Sequence, residues 1–192
     1  MKKSVLILLI FLFGAVSLSA NNLPQLIEVP TAYTIGVKKG ELLIWSNFNS
    51  LRVKGAYSPI NDMDFMISFK GQKNIFSGYA TFKWQFVHDS SQNPAAALGI
   101  GNDAIYAVVS KKLNPGLTGH IGLGAGNLAL VFAGLDYDLP VSKDAPKVKL
   151  VAEINKSLNF GAIASITPAF NIAMAIKNFN ELNIGTEFKF AF

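Results

Sequence analysis

Residues 40–192 alternate between apolar and polar side chains with a period of two, broken by short clusters of Pro, Gly, Asn and Asp. Successive side chains of an extended strand point to opposite faces, so each stretch predicts a strand with one greasy and one wet face. Twelve stretches qualify: 40–49, 51–58, 63–70, 76–87, 95–100, 103–113, 117–125, 127–139, 147–155, 158–167, 169–178 and 181–192. The last is the clearest. Leu182, Ile184, Phe188, Phe190 and Phe192 share one side with Thr186, while Glu181, Asn183, Gly185, Glu187, Lys189 and Ala191 share the other. Phe76, Ala80, Phe82, Trp84 and Phe86 oppose Ser77, Tyr79, Thr81, Lys83 and Gln85 in the same way. In the first strand (Leu43, Trp45) and the eighth (Leu128, Leu130, Phe132) both faces are partly apolar, which leaves their phase open.

Two kinds of turn punctuate the strands. One carries proline, as at Ser58-Pro59, Asn114-Pro115-Gly116 and Thr167-Pro168; the other carries Gly and Asn, as at Gly71, Gly101-Asn102, Gly126-Asn127 and Asn178. Proline lacks the donor a ladder needs, and Gly and Asn tolerate the positive φ of tight hairpins. The pattern predicts an all-β fold: a closed antiparallel up-and-down transmembrane β-barrel of about 12 strands, with 10 or 8 as alternatives. A soluble sandwich or lipocalin-like barrel would put the apolar face inside. Against it stand apolar faces of nearly uniform length, polar faces rich in Gly, Ala and Ser, and a charged fraction of only 15%. An even strand number leaves both termini on one side, expected to be periplasmic, with the proline turns there and the Gly/Asn turns outside.

Charge on such strands belongs in the lumen, because Arg or Lys facing lipid at the midplane costs roughly 2–4 kcal/mol. The expected inward set is Arg52, Lys54, Asp64, Lys70, Lys83, Lys112, His120, Lys147, Lys149, Glu153, Lys177, Glu181, Glu187 and Lys189, with Asp136 and Asp138 beside it. Its cationic bias predicts either a basic water-filled pore that favours anions or a lumen closed by paired charges.

Residues 1–20 read as a secretory signal peptide. Lys2 and Lys3 precede an apolar core from Val5 to Val16, and Ser17-Leu18-Ser19-Ala20 supplies small residues near a cleavage point. The core is well short of the roughly 20 residues a spanning helix requires, and no later run reaches that length. Removing Lys2 and Lys3 takes the formal charge from +5 to +3. Residues 21–38, interrupted by Pro24 and Pro30, form an irregular lead-in that lies in the periplasm or tucks into the lumen as a small plug. The barrel occupies residues 39–192. With no cysteine in the chain, neither a disulfide framework nor a thiolate metal site is possible.

The arrangement Asn183-x-Gly185-x-x-Phe188-x-Phe190, ending on Phe192, resembles the C-terminal insertion signal of bacterial outer-membrane β-barrels. The resemblance implies that Gly185, Phe188, Phe190 and Phe192 are read by the barrel assembly machinery. It also implies residence in the outer membrane of a diderm bacterium, among its lipids. Pro30-Thr31-Ala32-Tyr33-Thr34, followed by Lys39-Gly40-Glu41-Leu42, is similar to the opening of barrel repeats in the YjbH-like family, linked to exopolysaccharide export.

Catalytic chemistry finds little footing. His88-Asp89-Ser90 holds triad residue types, but neighbours in a chain cannot adopt the geometry of nucleophile, base and orienter. Gly122-x-Gly124-x-Gly126 lacks the helix of a phosphate loop and reads as close backbone approach plus a turn. Two histidines make a transition-metal site improbable, and no basic–aromatic cluster suggests nucleic acid. The expectation is therefore a narrow passive channel with a mildly basic lumen for small anionic solutes, without catalytic residues, metal or cofactor. A non-conducting accessory barrel for envelope polysaccharide export is the alternative, and a lipid-modifying enzyme the third. Oligomeric state is not legible.

Overall fold

A computed structural model of the chain describes residues 25–73, 75–140, 142 and 145–192. The expected signal segment 1–20 and the first residues of the lead-in lie outside them. Twelve antiparallel strands close one barrel, each hydrogen-bonded to its sequence neighbours, with the first pairing the last. They are β1 (Lys39–Ser46), β2 (Ser50–Ile60), β3 (Met63–Gln72), β4 (Ile75–Val87), β5 (Ala95–Gly101) and β6 (Ala104–Asn114). The second half comprises β7 (Leu117–Gly126), β8 (Val131–Asp138), β9 (Lys147–Ile154), β10 (Leu158–Thr167), β11 (Phe170–Lys177) and β12 (Glu181–Ala191). Closure runs from Lys39↔Ala191 to Ser46↔Ile184. It leaves no free sheet edge and satisfies the backbone groups internally, as a wall in hydrocarbon requires.

The outer surface is an apolar belt. Phe65, Ile67 and Phe69 of β3 and Phe76, Trp84 and Phe86 of β4 are all substantially exposed. Cross-strand aromatic pairs knit it together: Phe65 meets Phe82 at 5.1 Å between ring centroids, Phe69 meets Phe76 at 5.7 Å, and Phe170 meets Phe188 at 5.0 Å. A surface this apolar is stable only against lipid.

The structure fixes the phase of the two ambiguous strands. In β1 the buried side chains are Glu41 and Trp45 (Gly40, which has none, is covered by Phe190), so Leu43 points inward with them. In β8 they are Phe132, Gly134 and Asp136. β8 also starts four residues later than the pattern suggests, because Gly124 N–H donates to Leu130 C=O at 3.0 Å and closes a wide turn. Both strands look apolar on two faces for one reason. Their inward side chains join Tyr106, Val108 and Val151 in an apolar layer inside the barrel. Gly185 and Gly122 make room for that layer: a Cβ on Gly185 would lie 2.8 Å from the Trp45 ring, and one on Gly122 would collide with Phe132.

Candidate functional site: the lumen and the segment inside it

Residues 25–38 form no strand beyond a single bridge between Gln25 and Pro30, yet Leu26, Ile27, Val29, Thr31, Ala32, Tyr33 and Ile35 are buried. Irregular backbone is tolerated at membrane depth only where protein satisfies its polar groups. Here the inward side chains of the wall do so. Ile27, Glu28 and Val29 N–H all donate to Glu153 Oε2 at 3.0 Å, and Glu28 N–H also reaches Oε1 at 2.9 Å. Asn159 Nδ2 holds Oε1 from the neighbouring strand at 2.8 Å. Farther along, Ala32 N–H donates to Ser110 Oγ at 2.8 Å, Thr34 N–H to Gln85 Oε1 at 3.3 Å and Ile35 N–H to Asp64 Oδ1 at 3.3 Å. Lys83 donates to the Tyr33 carbonyl and pairs with Asp64 at 3.1 Å, both side chains fully buried.

Side chains of the segment add to this. Glu28 pairs with Lys177 at 2.8 Å and Arg52 at 3.8 Å. Burial pushes the Glu28 carboxyl up, but Lys177, with Arg52 and Lys70 behind it, outweighs burial and holds it below its ordinary value. Gln25 accepts from Lys54. Leu26 seats on Gly134, where any side chain would collide with it, and Ile27 lies 3.0 Å from where a Cβ on Gly161 would stand.

Of the expected lumen residues, Lys112 and Glu181 lie exposed near strand ends, and most of the others have partners. Arg52, Lys54, Lys83, Asp64, Glu153 and Lys177 touch the segment. Lys149 pairs with Asp136 and, at 3.2 Å, with Asp138. Lys189 lies 3.7 Å from Glu187, which accepts from Asn171. Lys70 lines the cavity at the Gly/Asn-turn end, and Lys147 sits exposed at the start of β9. Of the assembly residues, Gly185 lies under Trp45, Phe190 covers Gly40, Phe188 meets Phe170 at a tilt, and Phe192 is 73% exposed against Tyr57.

Two features were missed by sequence reasoning. Glu41 is a buried inward carboxylate, hidden by the uncertain phase of β1. With Glu41, Glu28, Asp136 and Asp138 counted, the nine cations of the expected inward set face eight carboxylates, so most of the basic excess disappears. The second is a chain of contacts across three strands: Ser110 Oγ to His120 Nδ1 at 2.7 Å, and His120 Nε2 to Asp136 Oδ2 at 2.8 Å. Ser110 Oγ also accepts the Ala32 amide, so the chain of contacts runs on from the wall to the segment. Pro115 gave a signal for part of this, since Ser110 and His120 stand five residues either side of it and are register partners.

Space remains at both ends of the segment. At the Gly/Asn-turn end a cavity of about 380 Å³ is lined by Trp45, Arg52, Lys54, Lys70, Tyr106 and Lys156, with Glu28 and Asp103 as its carboxylates. Trp45 Nε1 and the Tyr106 hydroxyl are buried without a hydrogen-bond partner among the described residues. At the proline-turn end a cavity of about 580 Å³ is lined by Tyr33, Thr34, Gln85, His88, Asp89 and Lys111. His88-Asp89-Ser90 belongs to that mouth: Asp89 takes Lys111 at 3.2 Å and the Tyr33 hydroxyl at 3.3 Å, and His88 meets Asp62 at 3.3 Å.

No protein-family model matches the sequence, and no curated protein matches it. Solved structures share the fold. The outer membrane protein Omp33 of Acinetobacter baumannii aligns with a TM-score of 0.51 at 10% identity, over 81% of this chain and 98% of that one. The KdgM porin aligns with a TM-score of 0.54 at 8% identity, over 80% of this chain and 99% of that one. The same porin in complex with disordered oligogalacturonate gives 0.53 at 9% identity, over 80% and 99%. The likeness is one of architecture, that of bacterial outer-membrane β-barrels.

Proposed function

We propose that the protein is a narrow outer-membrane channel for small anionic solutes, exported by a cleaved signal peptide and inserted among outer-membrane lipids by the barrel assembly machinery. One observation carries this reading: two polar vestibules enter the same barrel from opposite ends, and the outer one sets Arg52, Lys54, Lys70 and Lys156 against Glu28 and Asp103. A concave, low-dielectric mouth with an excess of one sign concentrates counter-ions. The bias therefore sits in the outer vestibule rather than along the whole lumen, where the charges are nearly balanced. The KdgM porin was solved with oligogalacturonate, a chain of sugar carboxylates, and that is the charge class these cations attract.

Reversal potentials across planar bilayers under a KCl gradient test the reading. Discrete steps with anion preference, reduced in an Arg52→Gln/Lys70→Gln variant, are expected; cation preference overturns it. A second reading, a non-conducting accessory barrel for polysaccharide export, is favoured by the segment that fills the lumen between the vestibules. Silence of the barrel even after that segment is displaced would select it. Catalysis has no part in either. Ser110 Oγ is fully buried and engaged by the Ala32 amide, and lipid esters lie across the wall from it. Absence of Ser110 labelling by a fluorophosphonate is the expected result.

A further inference from the structure

Two properties of the luminal segment belong together. The wall is complete without it: all twelve strands pair around the ring, and residues 25–35 add no rung to any ladder. It is held by side chains of the wall acting on its backbone, and these contacts concentrate at one carboxylate. Three consecutive amides, Ile27, Glu28 and Val29, converge on Glu153, the concave arrangement by which successive N–H groups bind an anion. Ser110 holds Ala32 in the middle, and Asp64 and Gln85 hold the far end. Beyond these contacts Glu28 pairs with Lys177 and Arg52, Gln25 takes Lys54, Tyr33 engages Lys83 and Asp89, and Leu26 and Ile27 rest on Gly134 and Gly161. Its withdrawal therefore breaks local hydrogen bonds and uncovers Leu26, Ile27 and Val29, but leaves the barrel's own hydrogen bonding untouched.

We propose that residues 25–35 are a displaceable plug with Glu153 as its principal anchor, so that the described state is the closed form of the barrel. This consequence for conduction rests on the channel reading; the plug's movement does not. Loss of Glu153's charge weakens three amide contacts at once, whereas loss of Ser110's hydroxyl weakens one.

The absence of cysteine makes the test clean. Val29, fully buried, is replaced by Cys, the protein is refolded into phosphatidylcholine vesicles, and reaction with a membrane-impermeant maleimide is timed. Adding Glu153→Gln should speed labelling about tenfold, as expected for hydrogen bonds to a charged group. Adding Ser110→Ala should speed it by a smaller factor and serves should the first variant fold poorly. Unchanged labelling in both overturns the plug. Faster labelling with electrically silent bilayers upholds the plug and overturns the channel reading. In the Glu153→Gln background, a disulfide between Leu26→Cys and Gly134→Cys should abolish current until reductant restores it. Current through the oxidised, locked barrel overturns the plug as gate.

Discussion

Strand β3 shows the two faces of the wall side by side. Outward it carries Phe65 and Phe69, which meet aromatic neighbours, and Ile67; all three are exposed, and another large apolar residue could replace any of them. Inward it carries Asp64, Met66, Ser68 and Lys70. Asp64 is committed to one cation and one amide. The outer face obeys a rule about medium, namely that it be greasy at every second position. The inner face obeys a rule about partners, which arrive mainly from other strands or from the luminal segment. The outer face should therefore respond to polarity and the inner face to the identity of particular groups.

The largest effect is expected at the end of the outer face. Phe192 is mostly exposed and is held by ring contacts with Tyr57 and Phe190 and by its N–H to the Lys38 carbonyl at 2.9 Å. Its removal costs the finished barrel little. Deleting it should nonetheless nearly abolish outer-membrane levels, measured by fractionation and immunoblot, if the terminal aromatic is read during assembly. Normal levels would reduce Phe192 to an ordinary lipid-facing side chain.

Next come the buried partners. Lys83→Met removes the cation facing Asp64 and leaves a buried carboxylate uncompensated, at a cost of about 3–5 kcal/mol. Urea titration of vesicle-embedded protein measures it. Asp64→Asn in the Lys83→Met background should recover much of the loss, and no recovery would mean the pair is not the unit of stability.

Phe82→Arg against Thr81→Arg tests the faces on a single strand. The first places a guanidinium in lipid, costing roughly 2–4 kcal/mol. The second places it in the outer vestibule, lined by Thr81, where the same titration should detect much less. Equal losses would mean that β4 does not present Phe82 to lipid.

How much of this was legible follows the same division. A rule about medium is local, so alternation in residues 40–192 was enough to place twelve strands and most of their ends. It failed at Asn127 to Leu130, where a wide turn is as apolar as a strand, and at the phase of β1 and β8, whose inward faces carry Trp45 and Phe132. There both faces are greasy because one meets lipid and the other the apolar filling of the lumen. A rule about partners is not local. Alternation could place Glu153 and Lys83 on the inner face, but not show that their partners are backbone groups of residues 27–29 and 33. Those residues have no periodicity to read, and their amides are invisible in a sequence. Ser110, His120 and Asp136 needed the register of two successive hairpins.

The smallest expected effect lies where the two rules meet, at Glu28, whose side chain is a quarter exposed. Lys177, Arg52 and Lys70 face it and hold its carboxyl below the ordinary value when the segment is seated. A group depressed in the seated state contributes stability that is present above its free value of about 4.3 and lost as pH falls through the depressed one. Glu28→Gln should therefore loosen the segment at neutral pH, by roughly 0.2–1 kcal/mol for a partly exposed pair. The opening frequency in planar bilayers should exceed that of the native protein at pH 7 and converge with it as the pH drops below the ordinary carboxylate range. A difference that instead widens in acid would mean that Glu28 is better held by its burial than by its cations, and that Lys177 and Arg52 serve the vestibule rather than the segment.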